Sequence, residues 1–157
     1  MMYCSERQKA MIERIVLDDK DLAIIIRNDY HEKGIHFLTP GDYSQQLAYM
    51  HHPKGKMIDA HIHNYEERSV VHTQEVLVIK KGILRVDFYG NDRSYYKSVI
   101  LEEGDIILLA SGGHGFEVLE EVEMVEIKQG PYLGERDKCR FQGITATEAK
   151  ISNGREK

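Results

Sequence analysis

Two histidines separated by a single residue, His61 and His63, stand eleven residues before a glutamate, Glu75, and another histidine, His114, follows well downstream. Residues two apart on a β-strand project to the same side, so MIDAHIH (57–63), taken as a strand, aims both imidazoles into one pocket. A carboxylate on a following antiparallel strand can complete that pocket. Imidazole with carboxylate is a ligand set for divalent transition metals, and it also moves protons with no metal at all. Glu75 is the only polar residue of the run EVLVI, so its burial calls for a partner, which a metal would provide.

The elements that must position these groups read as β-structure from Leu22 onward. Short β-branched or aromatic runs alternate with turn signals: LAIIIRN, GIHFLTPGDY, QQLAYMHHPKGK, MIDAHIH, SVVHTQEVLVIKKG, ILRVDFYGNDRSYY, KSVILEEGD, IILLASGG, HGFEVLEE and VEMVEIKQGPY. The clearest alternation covers 83–89, where Leu84, Val86 and Phe88 interleave with Arg85, Asp87 and Tyr89 ahead of the turn Gly90-Asn91-Asp92. About eight to ten strands with no helical pattern between them predict a sandwich or barrel.

The N-terminal segment admits two readings. Ser5 can cap a helix, with Gln8 at the capping-box position and Met11, Ile12, Ile15 and Val16 at helical spacing. MIERIVL–DDKD–LAIIIR equally reads as a hairpin. The tail after Phe141 predicts a small helix on the barrel or a frayed end whose last few residues are disordered. Met124, Glu126 and Lys128 share one strand face and Val125 and Ile127 the other. A solvated edge with an ion pair is the simpler account of that face; inward, ligand-orienting Glu126 and Lys128 are the sharper one. Of His31, His36, His51 and His52, three are expected on the surface, with His36 or His51 as candidates to line the cavity.

Gly55-x5-His61-x-His63 followed by Glu75-x6-Gly82 resembles the first signature of the cupin superfamily, and Gly104-Asp105 with IILL, Ala110, Gly112 and His114 resembles the second. The 21 residues between Gly82 and Gly104 suit the strand pair that separates the two motifs in cupins. The likeness spans roughly 55–128. It implies an all-β, double-stranded β-helix (jelly-roll) barrel with a short N-terminal extension, one domain over 1–157 whose barrel core covers roughly 34–132. It also implies His61, His63, Glu75 and His114 as the protein ligands of a divalent transition metal (Fe, Mn, Ni or Zn), with positions left open for water or substrate.

The match departs from the family in three places. Eleven residues separate His63 from Glu75 where the family has only a few; the proline of the second motif is Ala110, with His114 one residue early; and its late asparagine is Val118. The long gap leaves Glu67, with three residues between it and His63, as a rival ligand, and His72 lies near Glu75. Glu75 is preferred because it keeps the six-residue step to Gly82, taken as a strand-ending glycine.

A chain of 157 residues fits one domain with a sizeable core. A net charge of −5 offers no basic footprint for nucleic acid and no attraction to anionic membrane surfaces. The longest apolar runs, VLVI and IILLA, are strand-sized. The start MMYCSERQKAMIERI lacks an apolar signal core, Cys4 and Cys139 form no CxxC pair, and no Asn-x-Ser/Thr acceptor occurs, which together favour a cytoplasmic address. Ser111-Gly112-Gly113-His114-Gly115 lacks a nucleophile elbow or a Walker lysine, and Asp19-Lys20-Asp21 lacks the rest of a calcium loop.

The expected function is that of a metal-binding cupin holding a small polar, anionic or sugar-like ligand, with isomerase or epimerase chemistry preferred. HIH followed by TQEVLVIKKG is also similar to the His-x-His strand of cupin sugar-nucleotide ketoisomerases. That likeness implies a metal-free alternative in which His61 or His63 is the catalytic base, Tyr49 assists, and the ligand is a nucleotide sugar. An Fe(II) oxygenase and a non-catalytic small-molecule-binding module complete the alternatives. Pairing of sheet edges makes a homodimer the expected assembly.

Overall fold

In a computed structural model of the chain, in which residues 11–152 are described, eight β-strands form and no α-helix does. They are β1 (Ile12–Leu17), β2 (Lys20–Ile26), β3 (Gly34–Phe37), β4 (Ala48–His51), β5 (Glu75–Tyr89), β6 (Tyr95–Leu101), β7 (Ile106–Leu109) and β8 (Gly113–Lys128). Among the described residues no helix is long and apolar enough to cross a membrane. The strands belong to two compact units: the first takes the chain up to Tyr30 and again from Thr73, and the second is His31–His72.

The first unit opens with a hairpin. Asp18 and Asp19 both take positive φ (50° and 59°), the tight turn that aspartate tolerates and that matches strand twist. The hairpin reading of the N-terminus is therefore the one that forms over the described residues; Ser5 and Gln8 lie outside them. LAIII in β2 is buried on both faces between β1 and β7, and a β-branched run of that kind favours a central strand over a helix.

All pairings in this unit's sheet are antiparallel. β8 runs along one edge of β5 over nearly its whole length, while the opposite edge takes β7 against Glu75–Val78 and β6 against Leu84–Tyr89. The sheet curls strongly into a half-barrel. Its corner lies where β6 hands over to β7. There Gly104 N–H donates to the Ile79 carbonyl (2.8 Å) and Ile79 N–H to the Asp105 carbonyl (3.0 Å). Three residues on, Gly82 takes φ +86° at a bulge facing β8, where a Cβ would fall 2.0 Å from the Glu121 carbonyl oxygen. Only glycine fits. Gly82 thus bends a continuous strand and does not end one, which corrects its expected role. For the same reason HGFEVLEE and VEMVEIK, separate runs in sequence, are one bent strand.

The core lines the inner face of the curl: Leu77, Ile79, Leu84, Val86 and Phe88 of β5 meet Ile107, Leu109, Val99, Leu101 and the β2 residues Ala23 and Ile25. Burying each of the larger of these side chains contributes about 1.5–3 kcal/mol. At the corner the core is joined by charge. Arg27, 3% exposed, donates to Glu13 (2.7 Å), to the Ile100 carbonyl (2.8 Å) and to Asp105 (2.7 Å). Asp105, fully buried, also accepts from the backbone amides of Asn28 (3.0 Å) and Glu102 (3.1 Å).

The outer face of β5 is buried as well. Arg85 makes a two-pronged contact with Asp87 (2.8 and 3.0 Å) and pairs with Glu117, and Ser98 Oγ donates to Asp87. The chain after Phe141 covers this face. Ile144 N–H donates to Tyr89 Oη (3.0 Å), Lys150 N–H to Tyr95 Oη (2.7 Å), and Phe141 packs edge-on against Tyr89. The segment contains a single 3-10 turn, Ala146–Glu148, with a Thr145 capping box, so the small-helix reading of the tail is the nearer one.

The second unit holds a two-stranded sheet of β3 and β4. MIDAHIH, expected as a strand, has no strand structure. Alternation makes a strand only where a neighbour takes its backbone hydrogen bonds and one face is buried, whereas Met57 and Ile62 are 83% and 88% exposed.

Removing the buried carboxylate leaves the Arg27 charge with Glu13 as its one ion-pair partner among the described residues. Asp105→Ala is expected to lower the unfolding free energy by about 3 kcal/mol in urea titrations; a loss under about 1 kcal/mol, the scale of a surface pair, would show that the corner does not depend on it.

Candidate functional site

Glu75 opens β5 and His114 lies near the start of β8, and in the strand register they are far apart: Glu75 faces Lys128, and His114 faces Phe88. On a straight strand, residues 75 and 88 would be about 40 Å apart. The curl at Gly82 brings the ends together, and His114 Nε2 lies 3.2 Å from Glu75 Oε2. Lys128, directly opposite Glu75, places Nζ 3.6 Å from Oε1, so each carboxylate oxygen has its own partner.

The pair sits on the inner face. Glu75 alternates in phase with the core residues Leu77 and Ile79, and His114, Phe116 and Val118 oppose Phe88, Val86 and Leu84. Met124, Glu126 and Lys128 oppose Ile79, Leu77 and Glu75. Glu126 and Lys128 share the face of Glu75 in the register, and their ion pair (3.2 Å) is solvent-exposed, as the simpler account of a solvated edge has it. Phe116 stacks obliquely near His114 with ring centres 5.3 Å apart. Lys128 Nζ lies 6.0 Å from the centre of the exposed Tyr132 ring.

The Glu75 side chain is 12% exposed, yet it stays ionised readily. The hydrogen bond from His114 holds its pKa below the ordinary carboxylate value; burial works in the opposite direction, and the charges of His114, Lys128 and Lys138 assist the lowering. The Lys128 pKa is raised, first by its hydrogen bond to Glu126.

His61 and His63 lie in the second unit, on exposed backbone without strand structure. Their rings meet edge-on with centres 5.3 Å apart, and His61 Nδ1 is 2.9 Å from the Asp59 carbonyl oxygen. Glu67 and His72 are exposed members of the same unit. Among the described residues no group of three or more His, Cys, Asp or Glu is arranged around one point as metal ligands. Two donors do fit. Ligands bound at about 2.1 Å and separated by 90–109° stand about 3.0–3.4 Å apart, which includes the 3.2 Å between His114 Nε2 and Glu75 Oε2.

Sequence reasoning passed over Lys128, the last residue of β8, as a partner of Glu75, the first of β5. Asp105, read as part of a metal-binding motif, turns out to serve the corner. No family model matches the chain, and neither a curated protein nor a solved structure is similar to it.

A carboxylate whose pKa is lower in the folded than in the unfolded chain stabilises the fold above its unfolded value, and that contribution vanishes as the pH falls through the folded value. The stability difference between the protein and Glu75→Gln is therefore expected to shrink as the pH falls below about 5. Urea titrations over this range check it; a gap that stays constant down to about pH 3 contradicts the charged pairing.

Proposed function

We propose that this is a small cupin-type metalloprotein, completed as a jelly roll, that binds a divalent transition metal (Fe, Mn, Ni or Zn) at Glu75 and His114. The observation that carries the reading is the 3.2 Å approach of an imidazole nitrogen and a carboxylate oxygen on the inner face of a strongly curled sheet. Two glycines of the cupin-like motifs, Gly82 and Gly104, take φ +86° at the corner that produces the approach. Lys128, by holding Oε1, leaves Oε2 for the metal. A bound metal would polarise a carbonyl or carboxylate of a small ligand, and isomerase or epimerase chemistry is the activity that best uses such a site. Phe116 lies beside His114 with ring centres 5.3 Å apart.

A metal-free reading has its own support. Glu75, kept ionised, orients His114 as a carboxylate does for a general base. A keto sugar on a nucleotide would be the substrate.

Elemental analysis of untagged protein, with Co(II) titration of the metal-stripped form, separates the two. About one metal per chain is expected, with affinity falling by about 10–100-fold or more in Glu75→Gln and in His114→Ala and unchanged in Glu67→Gln. His61→Ala and His63→Ala tell whether two residues or the four suggested by the sequence carry the affinity. Failure of the protein to take up any divalent ion, together with retained nucleotide-sugar binding, would replace the first reading by the second.

A further inference from the structure

Two stretches of the chain lack a neighbour that their sequences call for. β8 pairs with β5 along one edge, and among the described residues no strand takes its other edge. A 16-residue edge strand presents a row of free backbone N–H and C=O groups, a template for a further strand. Its side chains are equally open: Val118, Leu119, Val125 and Ile127 are 44–55% exposed. The second stretch is 57–63, in the second unit. Met57, Asp59, His61 and His63 alternate with Ile58, Ala60 and Ile62, the period of a strand. Among the described residues, however, no backbone–backbone hydrogen bond involves these positions, and Met57, Ile58 and Ile62 are exposed.

Charge matches the two stretches. β8 carries five glutamates and one lysine. Glu117 pairs with Arg85 and Glu126 with Lys128, which leaves Glu120, Glu121 and Glu123 exposed and without an ion pair among the described residues. Lys54 and Lys56, just ahead of 57–63, are also exposed and also without an ion pair among the described residues.

We propose that the free edge of β8 receives residues 57–63 of a second copy of this chain as an added strand, with Lys54 and Lys56 of that copy against Glu120, Glu121 and Glu123. Main-chain hydrogen bonds hold the added strand, and Ile58 and Ile62 leave water. Beside the glutamates the strand meets exposed apolar residues whichever way it runs: Val118 and Leu119 on one side, Val125 and Ile127 on the other. Two such exchanges related by a two-fold axis close a dimer. A second β8 is a poorer occupant, since an identical strand alongside doubles an already acidic edge. The exchange is independent of the metal reading above.

Sedimentation equilibrium of the full chain tests the exchange. A dimer is expected. Asp59→Pro combined with Ala60→Pro removes two adjacent backbone donors, one of which must face β8, and is expected to raise the dissociation constant at least about tenfold. That pair of changes touches no strand of either copy, because 57–63 has no strand structure to lose. Glu120→Lys with Glu123→Lys, and separately Lys54→Glu with Lys56→Glu, are each expected to weaken the dimer to a similar degree. Mixing the two charge-reversed proteins restores it, since each then offers the charge that the other needs. A chain that stays monomeric at every concentration overturns the proposal, as does a dimer indifferent to the two prolines. Charge reversals that weaken the dimer without rescue on mixing overturn it too. If the β8 variant fails to fold, the proline variant decides alone.

Discussion

The Arg27–Asp105 pair holds the corner on which the rest of the first unit depends. Both charges are buried: the guanidinium reaches Glu13 of β1 and a β6 carbonyl besides Asp105, and the carboxylate collects two backbone amides besides Arg27. A buried ion pair is weak evidence for net stability, since desolvation offsets most of its attraction. Its value lies in geometry. A loop of apolar residues could bury as much area with β6 and β7 meeting at several angles, but a carboxylate that must accept three donors permits one. Asp105 also lends its carbonyl to Ile79, so the same residue ties the turn to β5 just before the Gly82 bulge.

From that corner the site follows. β5 and β8 are each long enough to keep their two ends apart, and Glu75 and His114 occupy opposite ends of the ladder. Bending at Gly82 turns a large separation along the strand into contact across the curl. The outer face resists opening, because the segment after Phe141 seals Arg85, Asp87 and Tyr89 against solvent and bonds both tyrosine hydroxyls to its backbone. β5 is thereby buried on two sides over 84–89. A strand clamped in this way transmits the bend at Gly82 to its start, where the carboxylate sits.

Much of the fold was legible in the residues, and the reasons differ by element. Alternation at 83–89, the Gly90-Asn91-Asp92 turn and the apolar runs of β2 and β7 declare strands because local preference and burial agree there. The number of strands came out within the expected range. MIDAHIH shows the limit: alternation is necessary for a strand but a neighbour must exist, and the composition of 57–63 says nothing about neighbours. Gly82 shows another. A glycine after an apolar run signals positive φ without saying whether the chain turns back or bulges onward, since that depends on β8, some forty residues later in sequence. Within the site, Glu75 was found by its isolation in an apolar run and His114 by its motif. Lys128 was not, because cross-strand register is a long-range property. The same-side placement expected of His61 and His63 depended on a strand that does not form.

The orientation of His114 bears on which chemistry its pairing with Glu75 serves. An imidazole acting as a general base must turn one nitrogen to its orienting carboxylate and the other to the substrate. Here Nε2 faces Glu75, so only Nδ1 is left for a substrate proton, and Phe116 packs obliquely beside the ring. A metal ion asks for something else. Nε2 and Oε2 must converge on one point, and Oε1 must be occupied elsewhere if the carboxylate is to bind through a single oxygen. Lys128 occupies Oε1 at a distance that allows attraction without displacing the carboxylate from His114. That lysine lies opposite Glu75 in the register and is also paired with Glu126. Glu75 thus has one carboxylate oxygen facing His114 and the other facing Lys128.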